Sequence, residues 1–312
     1  MAIDLVRLVR EWVLDGLPYD RTDQTITTEL AAMDARELLI VYHNWMSRHV
    51  IPAPRQVRRS GAYDANPVVQ QRKADLDALI AKIERGDDVT PHLSTRTAIV
   101  WESSSKKIAS RRHLDLMLIE WHVHHLHISQ TMEPNGFVER DGPLLFVVFR
   151  QDVAYVLDLM THSDFNRDHI LKILADEWPG AGLVDEIKAG PGQKIVGLAH
   201  NYTEEERNKL RKVGVNTLVE IDGRVFKPAG GMTTAGTSID ASRAADAVLS
   251  RVKEWERAVN TDRAYFEKFA AEHGVAWPEK PEFEFGFVNG HTLGFAEVQT
   301  GLAVAVTGSD GG

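Results

Sequence analysis

The sequence predicts an α+β protein in three regions. Residues 1–100 form a helical N-terminal region, 101–180 a small antiparallel sheet with flanking helices, and 181–312 a hairpin, a long helix and a disordered tail. Three observations predict this. Apolar residues recur at helical spacing through the first hundred positions. Between His122 and Met160 the pattern changes to alternating and continuous β-branched runs. Asp222-Gly223, a strong two-residue hairpin signal, then separates two short β-prone runs.

Taken in order, Ile3, Leu5, Val6, Val9, Trp12 and Val13 make one stripe of a first helix, which Gly16 and Pro18 end. A second helix starts after Asp34, carries Leu38, Leu39, Val41, Tyr42, Trp45 and Met46 inward, and stops before Pro52 and Pro54. A third spans Pro67 to Arg85, with Leu76, Leu79, Ile80 and Ile83 inward and Gly86 as its C-terminal cap. Between the second and third, residues 48–59 hold Arg48, His49, Arg55, Arg58 and Arg59 and no acid. Such a run is a solvated connector or an edge that faces phosphates.

The central block opens with a helix from Ser103 to Trp121, basic in its first half and apolar in its second. His122 to Ser129 alternates and reads as a strand, and Asn135-Gly136 as a turn. Leu144 to Arg150 is nearly all apolar, as in a strand covered on both faces. Gln151-Asp152 turns the chain into a third strand, Val153 to Met160, and a helix follows from about Phe165 to Trp178.

In the last region, Lys194 to Ala199 reads as a short strand and Thr203 to Glu206 as a capping box opening a helix that ends at Gly214. The hairpin at Asp222-Gly223 precedes a helical stretch from Asp240 to His273, broken near Asn260-Thr261. Gly231 to Ser238 has the spacing of a phosphate-binding loop, but Thr237 stands where the lysine belongs. A connector, or an anion cradle of backbone N–H groups, is what remains. The acidic runs 204–206 and 279–284 read as solvated faces, and the seven tryptophans as core anchors.

Composition narrows function. Without cysteine there are no disulfides, thiolate metal sites or cysteine nucleophiles, which fits a reducing cytoplasm. No apolar run is long enough to span a membrane, and Asp4, Arg7 and Arg10 interrupt the only stretch that could act as a signal. A formal charge of −9, from 45 acids against 36 Lys and Arg, argues against a general nucleic-acid coat protein and leaves room for a local basic face.

The histidines carry the candidate chemistry. Four of thirteen fall within His122 to His127, and His162 follows the third strand. On a strand His122 and His124 share one face, His125 and His127 the other. A His-x-His pair, about 7 Å apart, suits a divalent metal such as zinc or manganese, with His122 and His124 as ligands and Asp158, Asp164 or His162 as candidates to complete the set. Paired histidines also serve metal-free RNA cleavage, in which the 2′-hydroxyl attacks the neighbouring phosphate. One histidine is the base and another the acid, and arginine or lysine stabilises the phosphate. Residues of those types here are His124, His125, His127 and His162, with Arg140, Arg150, Lys106, Lys107, Arg111 and Arg112.

The stretch from His125-Leu126-His127 through Gly136-Phe137 and Asp141-Gly142-Pro143 to the run Leu144–Phe149, closing on Thr161-His162-Ser163-Asp164-Phe165, resembles the RelE/YoeB-type mRNA-interferase toxins, closest to their YafQ-like branch. The resemblance covers about residues 122–167. It implies a small antiparallel sheet with packed helices and a metal-independent endoribonuclease without a cofactor. His162 would be the catalytic histidine near the end of the unit, His125 or His127 the upstream one, and Phe165 the base-stacking aromatic. Arg150 or Arg140 would hold the phosphate, and Lys106, Lys107, Arg111 and Arg112 would bind the RNA. Where the family carries an arginine before the terminal histidine, this chain has Asp158. RNA, free or on the ribosome, is the implied partner, beside a protein partner or a second copy of the chain. The role would be growth arrest or phage defence. Two other readings stand beside it: a metal-dependent hydrolase on the His-x-His strand, and a non-enzymatic binding or regulatory protein of a toxin–antitoxin or phage-related system.

Overall fold

The structure, a computed structural model, describes residues 2–101, 114–140, 142–161, 167–212, 214–288 and 292–306. The expected tail, the basic half of the helix expected from Ser103, and the segment with His162 and Phe165 lie outside the described residues. The fold is α+β. Described residues of 1–43, 100–107 and 241–312 cluster as one compact unit, and those of 44–99 and 108–240 as another.

Three helices open the chain: α1 (Leu5–Gly16), α2 (Gln24–Ala32) and α3 (Ala35–Met46). Asp4 caps α1, and its apolar stripe buries Leu5, Val9 and Val13. The sequence did not announce α2, which Asp23 caps through the N–H groups of Thr25 and Ile26. Asp34 and Glu37 cap α3 reciprocally: each side chain accepts from the other's backbone N–H, at 2.8 and 2.9 Å.

Part of the basic run at 48–59 forms a strand, β1 (Gln56–Arg59), followed by α4 (Gly61–Ala65), α5 (Pro67–Gln71) and α6 (Lys73–Arg85). The single helix expected from Pro67 is thus interrupted at Arg72, whose backbone is not helical. Gly86 adopts φ +79° and ends α6 as expected. A Cβ there would strike the backbone of Ala53 and Pro54, so only glycine fits.

Next come α7 (Leu116–Trp121), β2 (Val123–His127), β3 (Leu144–Phe149), β4 (Val153–Met160) and α8 (Arg167–Glu177). The Asp115 carboxylate accepts from the N–H groups of Met117 and Leu118 and sets the start of α7. β5 (Asp185–Glu186), α9 (Glu204–Lys212), β6 (Val219–Ile221) and β7 (Arg224–Lys227) follow, and residues 194–199 carry no strand. The Thr203–Glu206 box forms, with the Thr203 N–H donating to Glu206 at 2.8 Å and the Glu206 N–H to the Thr203 hydroxyl at 3.3 Å. Asp222 and Gly223 take φ +51° and +75°, the positive values a two-residue hairpin turn needs.

The chain ends in α10 (Ile239–Thr261), α11 (Arg263–Glu272), β8 (Phe283–Phe287), β9 (Leu293–Glu297) and β10 (Ala303–Ala305). The three strands make an antiparallel sheet in the order β10-β9-β8 where the sequence suggested only helix and a solvated acidic face. Within this unit the Trp12 ring packs edge-on against Tyr42, Phe285 and Phe287, with centroids 5.2–5.7 Å apart.

In the other unit the central sheet has the order β1-β4-β3-β2, antiparallel from β2 to β4, with β1 parallel to β4. β3 earns its continuous apolar run by being covered twice. Leu144, Phe146 and Val148 pack with Tyr155 and Leu157 of β4 and Ile170, Leu171 and Leu174 of α8. Leu145 and Val147 pack with Val156 and with Leu76, Leu79 and Ile83 of α6. A bulge between Phe146 and Val147 leaves Leu157 without a ladder partner. No helix among the described residues is long and apolar enough to cross a membrane.

Candidate functional site

The four clustered histidines do not act as two strand-face pairs. His122 precedes β2 and takes φ +56° at the C-terminal cap of α7, and its Nε2 lies 2.9 Å from Asp240. The expected pairing of His122 with His124 on one strand face is therefore replaced by a left-handed corner that turns His122 elsewhere. Among the described residues no group of three or more His, Asp or Glu side chains converges as metal ligands would.

His127 is buried, at 6% exposure. Its Nε2 accepts from Nη1 of Arg140 at 3.2 Å, and its carbonyl oxygen lies 2.8 Å from Nδ1 of His92. Arg140 is bound into the same network: Nη2 donates to the Leu93 carbonyl at 2.9 Å, the guanidinium lies 5.5 Å from the Phe137 ring centroid, and Nε is buried without a hydrogen-bond partner. Both residues, expected as base and phosphate clamp, tie the 90–93 segment to the sheet. Arg150 sits at the β3–β4 turn, close enough to Tyr155 to feel its phenol, while burial lowers its pKa. It does not line the pocket that His125 does. Lys106, Lys107, Arg111, Arg112, His162 and Phe165 lie outside the described residues.

His124 and His125 do come together with other polar groups. Beside β2, an edge strand, lies a pocket of about 250 Å³ lined by Arg48, Leu93, Ser94, Arg96, Thr97, Asp115, Leu118, His124 and His125. Nδ1 of His125 is 3.2 Å from Oδ2 of Asp115, whose other oxygen caps α7. In the neutral ring, Nδ1–H then faces the carboxylate and Nε2 is the basic nitrogen. His124 packs edge-on against Phe149, centroids 5.5 Å apart, and burial among protein atoms holds its imidazole down to about 4, so it is neutral at pH 7.

Arg48, the first residue of the basic run 48–59, is not part of a solvated connector. It is 6% exposed. Nη1 donates to the carbonyls of Arg96 and Ile99 at 3.0 and 3.4 Å, while Nε and Nη2 are buried without a hydrogen-bond partner. Burial lowers its pKa to about 10, further helped by Arg96, so it remains a cation at neutral pH. A buried guanidinium with idle N–H groups is destabilising unless an acceptor satisfies it, and an anion satisfies both the N–H groups and the charge. The pocket thus offers a fixed positive charge, a carboxylate-held imidazole and the hydroxyl-bearing residues Ser94 and Thr97, between the apolar walls of Leu93 and Leu118.

A second histidine–carboxylate pair lies at the β4 bulge. The buried Asp158 accepts from Asn66 Nδ2 (2.8 Å) and the Leu159 N–H (2.7 Å), and its Oδ2 lies 2.8 Å from Nε2 of the half-exposed His169. Nothing in the spacing of Asp158 and His169 singled this pair out.

The loop 231–238 closes on itself. Thr233 N–H donates to the Thr237 carbonyl, Gly236 N–H to Thr233, and Ile239 N–H to Gly231, at 2.8–3.0 Å. These bonds commit the Thr233, Gly236 and Ile239 N–H groups, and the loop is a tied hairpin and not a free connector.

No family model, no curated protein and no solved structure matches this chain.

Proposed function

We propose that this chain is a metal-independent endoribonuclease whose reaction takes place in the Arg48–His125 pocket. The observation that carries the reading is the juxtaposition of His125, held by Asp115 at 3.2 Å, with a buried Arg48 that has two unpartnered nitrogens. Nε2 of His125 accepts the 2′-hydroxyl proton, the 2′-oxygen attacks the phosphorus, and the bond to the 5′-oxygen breaks. The guanidinium of Arg48 stabilises the charge gathering on the non-bridging oxygens. The 5′-oxygen leaves with a proton from His162, the role that the resemblance to the mRNA interferases implies. His127 and Arg140 belong to the scaffold in this reading and His125 is the base. Such an enzyme works in the cytoplasm, where RNA is, and arrests growth or limits phage.

The test is purified protein on total RNA with 5′ ends mapped by sequencing, in the presence of EDTA. New ends are expected with wild type and a loss of about 100-fold or more in His125→Ala, in line with general-base contributions of that order. Undiminished cleavage by His125→Ala, or cleavage abolished by EDTA, overturns the assignment.

A further inference from the structure

We infer that the segment leading from the pocket to the open edge of the central sheet is a phosphate-contacting track for single-stranded RNA. The inference rests on the RNA reading above for its ligand, but on different residues and on binding alone. The track is made by Arg55, Arg58 and Arg59. The run from Arg48 to Arg59 contains no acid, and its first arginine lies in the pocket. From there the chain continues into β1, which pairs with β4 on one side only.

Each of the three guanidiniums is set on an aromatic ring. Arg55 lies over Phe149 at 5.4 Å, Arg58 over Tyr155 at 5.9 Å and Arg59 over Tyr63 at 5.8 Å. The rings hold the charges in place without neutralising them. No carboxylate among the described residues forms an ion pair with any of the three, although Asp152 is near enough to be felt by Arg55. Elsewhere on the chain the pairing is different: Arg7, Arg36, Arg85, Arg224 and Arg263 each carry a carboxylate at 2.6–2.7 Å. In a chain of net charge −9, three neighbouring unpaired arginines are a local reversal of sign.

Phe149 links this edge to the pocket, because the same ring that Arg55 covers packs against His124, which lines the pocket. Arg58 and Arg59, adjacent on β1, lean to opposite faces of the sheet over Tyr155 and Tyr63 and so flank the open edge from both sides. Cations placed there, leading away from an anion pocket, fit the phosphates of an unpaired strand that lies along the edge and is contacted without regard to sequence. Charged residues also protect an open strand edge from pairing with other chains, but that role requires no response to RNA.

The experiment uses the full-length chain carrying His125→Ala, so that bound RNA stays intact, and a fluorescein-labelled 12-mer oligouridylate followed by anisotropy between 50 and 300 mM KCl. The triple variant Arg55→Gln/Arg58→Gln/Arg59→Gln is expected to bind at least tenfold more weakly at 50 mM. Its slope of log K against log salt should be shallower by about 2, from ~0.7 per single-strand phosphate contact. Arg55 also donates to the Arg150 and Ala53 carbonyls, so the double variant Arg58→Gln/Arg59→Gln serves if the triple misfolds, with a slope change of about 1.4. Arg251→Gln, which removes an exposed charge elsewhere, should leave the slope unchanged. Equal slopes in the parent and the folded double variant overturn the track, as does a folded parent that does not bind the oligonucleotide. Binding with the expected slopes, but no cleavage by the unmutated chain, keeps the track and overturns only the nuclease reading.

Discussion

Nδ1 of His92 lies 2.8 Å from the backbone oxygen of His127, and on the other side of the same fully buried ring Nζ of Lys82 lies 2.9 Å from Nε2. A lysine ammonium only donates, so Nε2 accepts and the ring is neutral, with its proton on Nδ1. Burial above all, with Lys82 adding to it, holds the His92 pKa below its ordinary value against the opposing hydrogen bond to the His127 carbonyl. The unfolded chain therefore takes up this proton at a higher pH than the folded one. The stability contributed is present above about pH 6.5 and is lost as pH falls through that value toward the depressed folded pKa. His124 and His43, held down to about 4 by burial, act in the same direction. The melting temperature is expected to fall between pH 7.5 and pH 5, and to fall less in His92→Gln. An equal fall in both chains would remove His92 as a cause.

Arg48 predicts a separation of stability from function. Replacing it with methionine removes the bonds to the Arg96 and Ile99 carbonyls, each worth about 1 kcal/mol, and also removes two buried N–H groups that no protein atom satisfies. These effects oppose each other, and Arg48→Met should keep the wild-type stability within about 1 kcal/mol. Inorganic phosphate should raise the wild-type melting temperature, because a ligand at a hundredfold excess over its Kd adds about 2.7 kcal/mol. It should leave Arg48→Met unmoved. A phosphate response that survives the substitution places the anion elsewhere.

Asp115 caps α7 with one oxygen and holds His125 with the other, and the two roles can be separated. Asparagine caps helices as well as aspartate does, so Asp115→Asn should melt within about 1 kcal/mol of wild type. It lacks the charge that steadies a protonated His125, and RNA cleavage should fall by about 100-fold or more. Asp115→Ala loses the cap as well and should be less stable by about 1 kcal/mol. Full activity in Asp115→Asn would show that the carboxylate serves the helix alone.

These residues show what the sequence could and could not disclose. The β3–β4 hairpin was legible because Leu144–Phe149 is apolar without interruption and a turn follows at once. Gly86, the Thr203–Glu206 box and the Asp222-Gly223 turn were legible because each depends on neighbours a few residues away. β1 was not, since its partner among the described residues is β4, nearly a hundred residues later, and two of its four side chains are exposed arginines. The β8–β10 sheet was hidden by acids that alternate with Phe283 and Phe285. In the site, the clustered histidines drew attention to β2, which lines the pocket. Their division of labour did not follow, because it depends on Arg140 reaching His127 and on the corner that removes His122. Arg48 and Asp115 acquire meaning only when the fold brings them to one pocket from 67 positions apart.

Asp158 stands where the interferase resemblance expects an arginine, and its surroundings account for an acid there. The bulge beside Phe146 places the carboxylate where Asn66, the Leu159 N–H and the ring of His169 all meet it. Asp158→Ala leaves the buried Leu159 N–H without its acceptor and takes one partner from the partly buried Asn66 amide, and the penalty for a buried donor left so is about 1–3 kcal/mol. Asp158→Asn retains an acceptor oxygen of the same reach and should lose less. His169 is half-exposed and can turn to water, so His169→Gln should lose least of the three. Urea denaturation at pH 7.5 gives the order directly from midpoints at constant slope. If Asp158→Ala unfolds at the wild-type midpoint, the three contacts contribute nothing to joining β4, α8 and the α4–α5 corner.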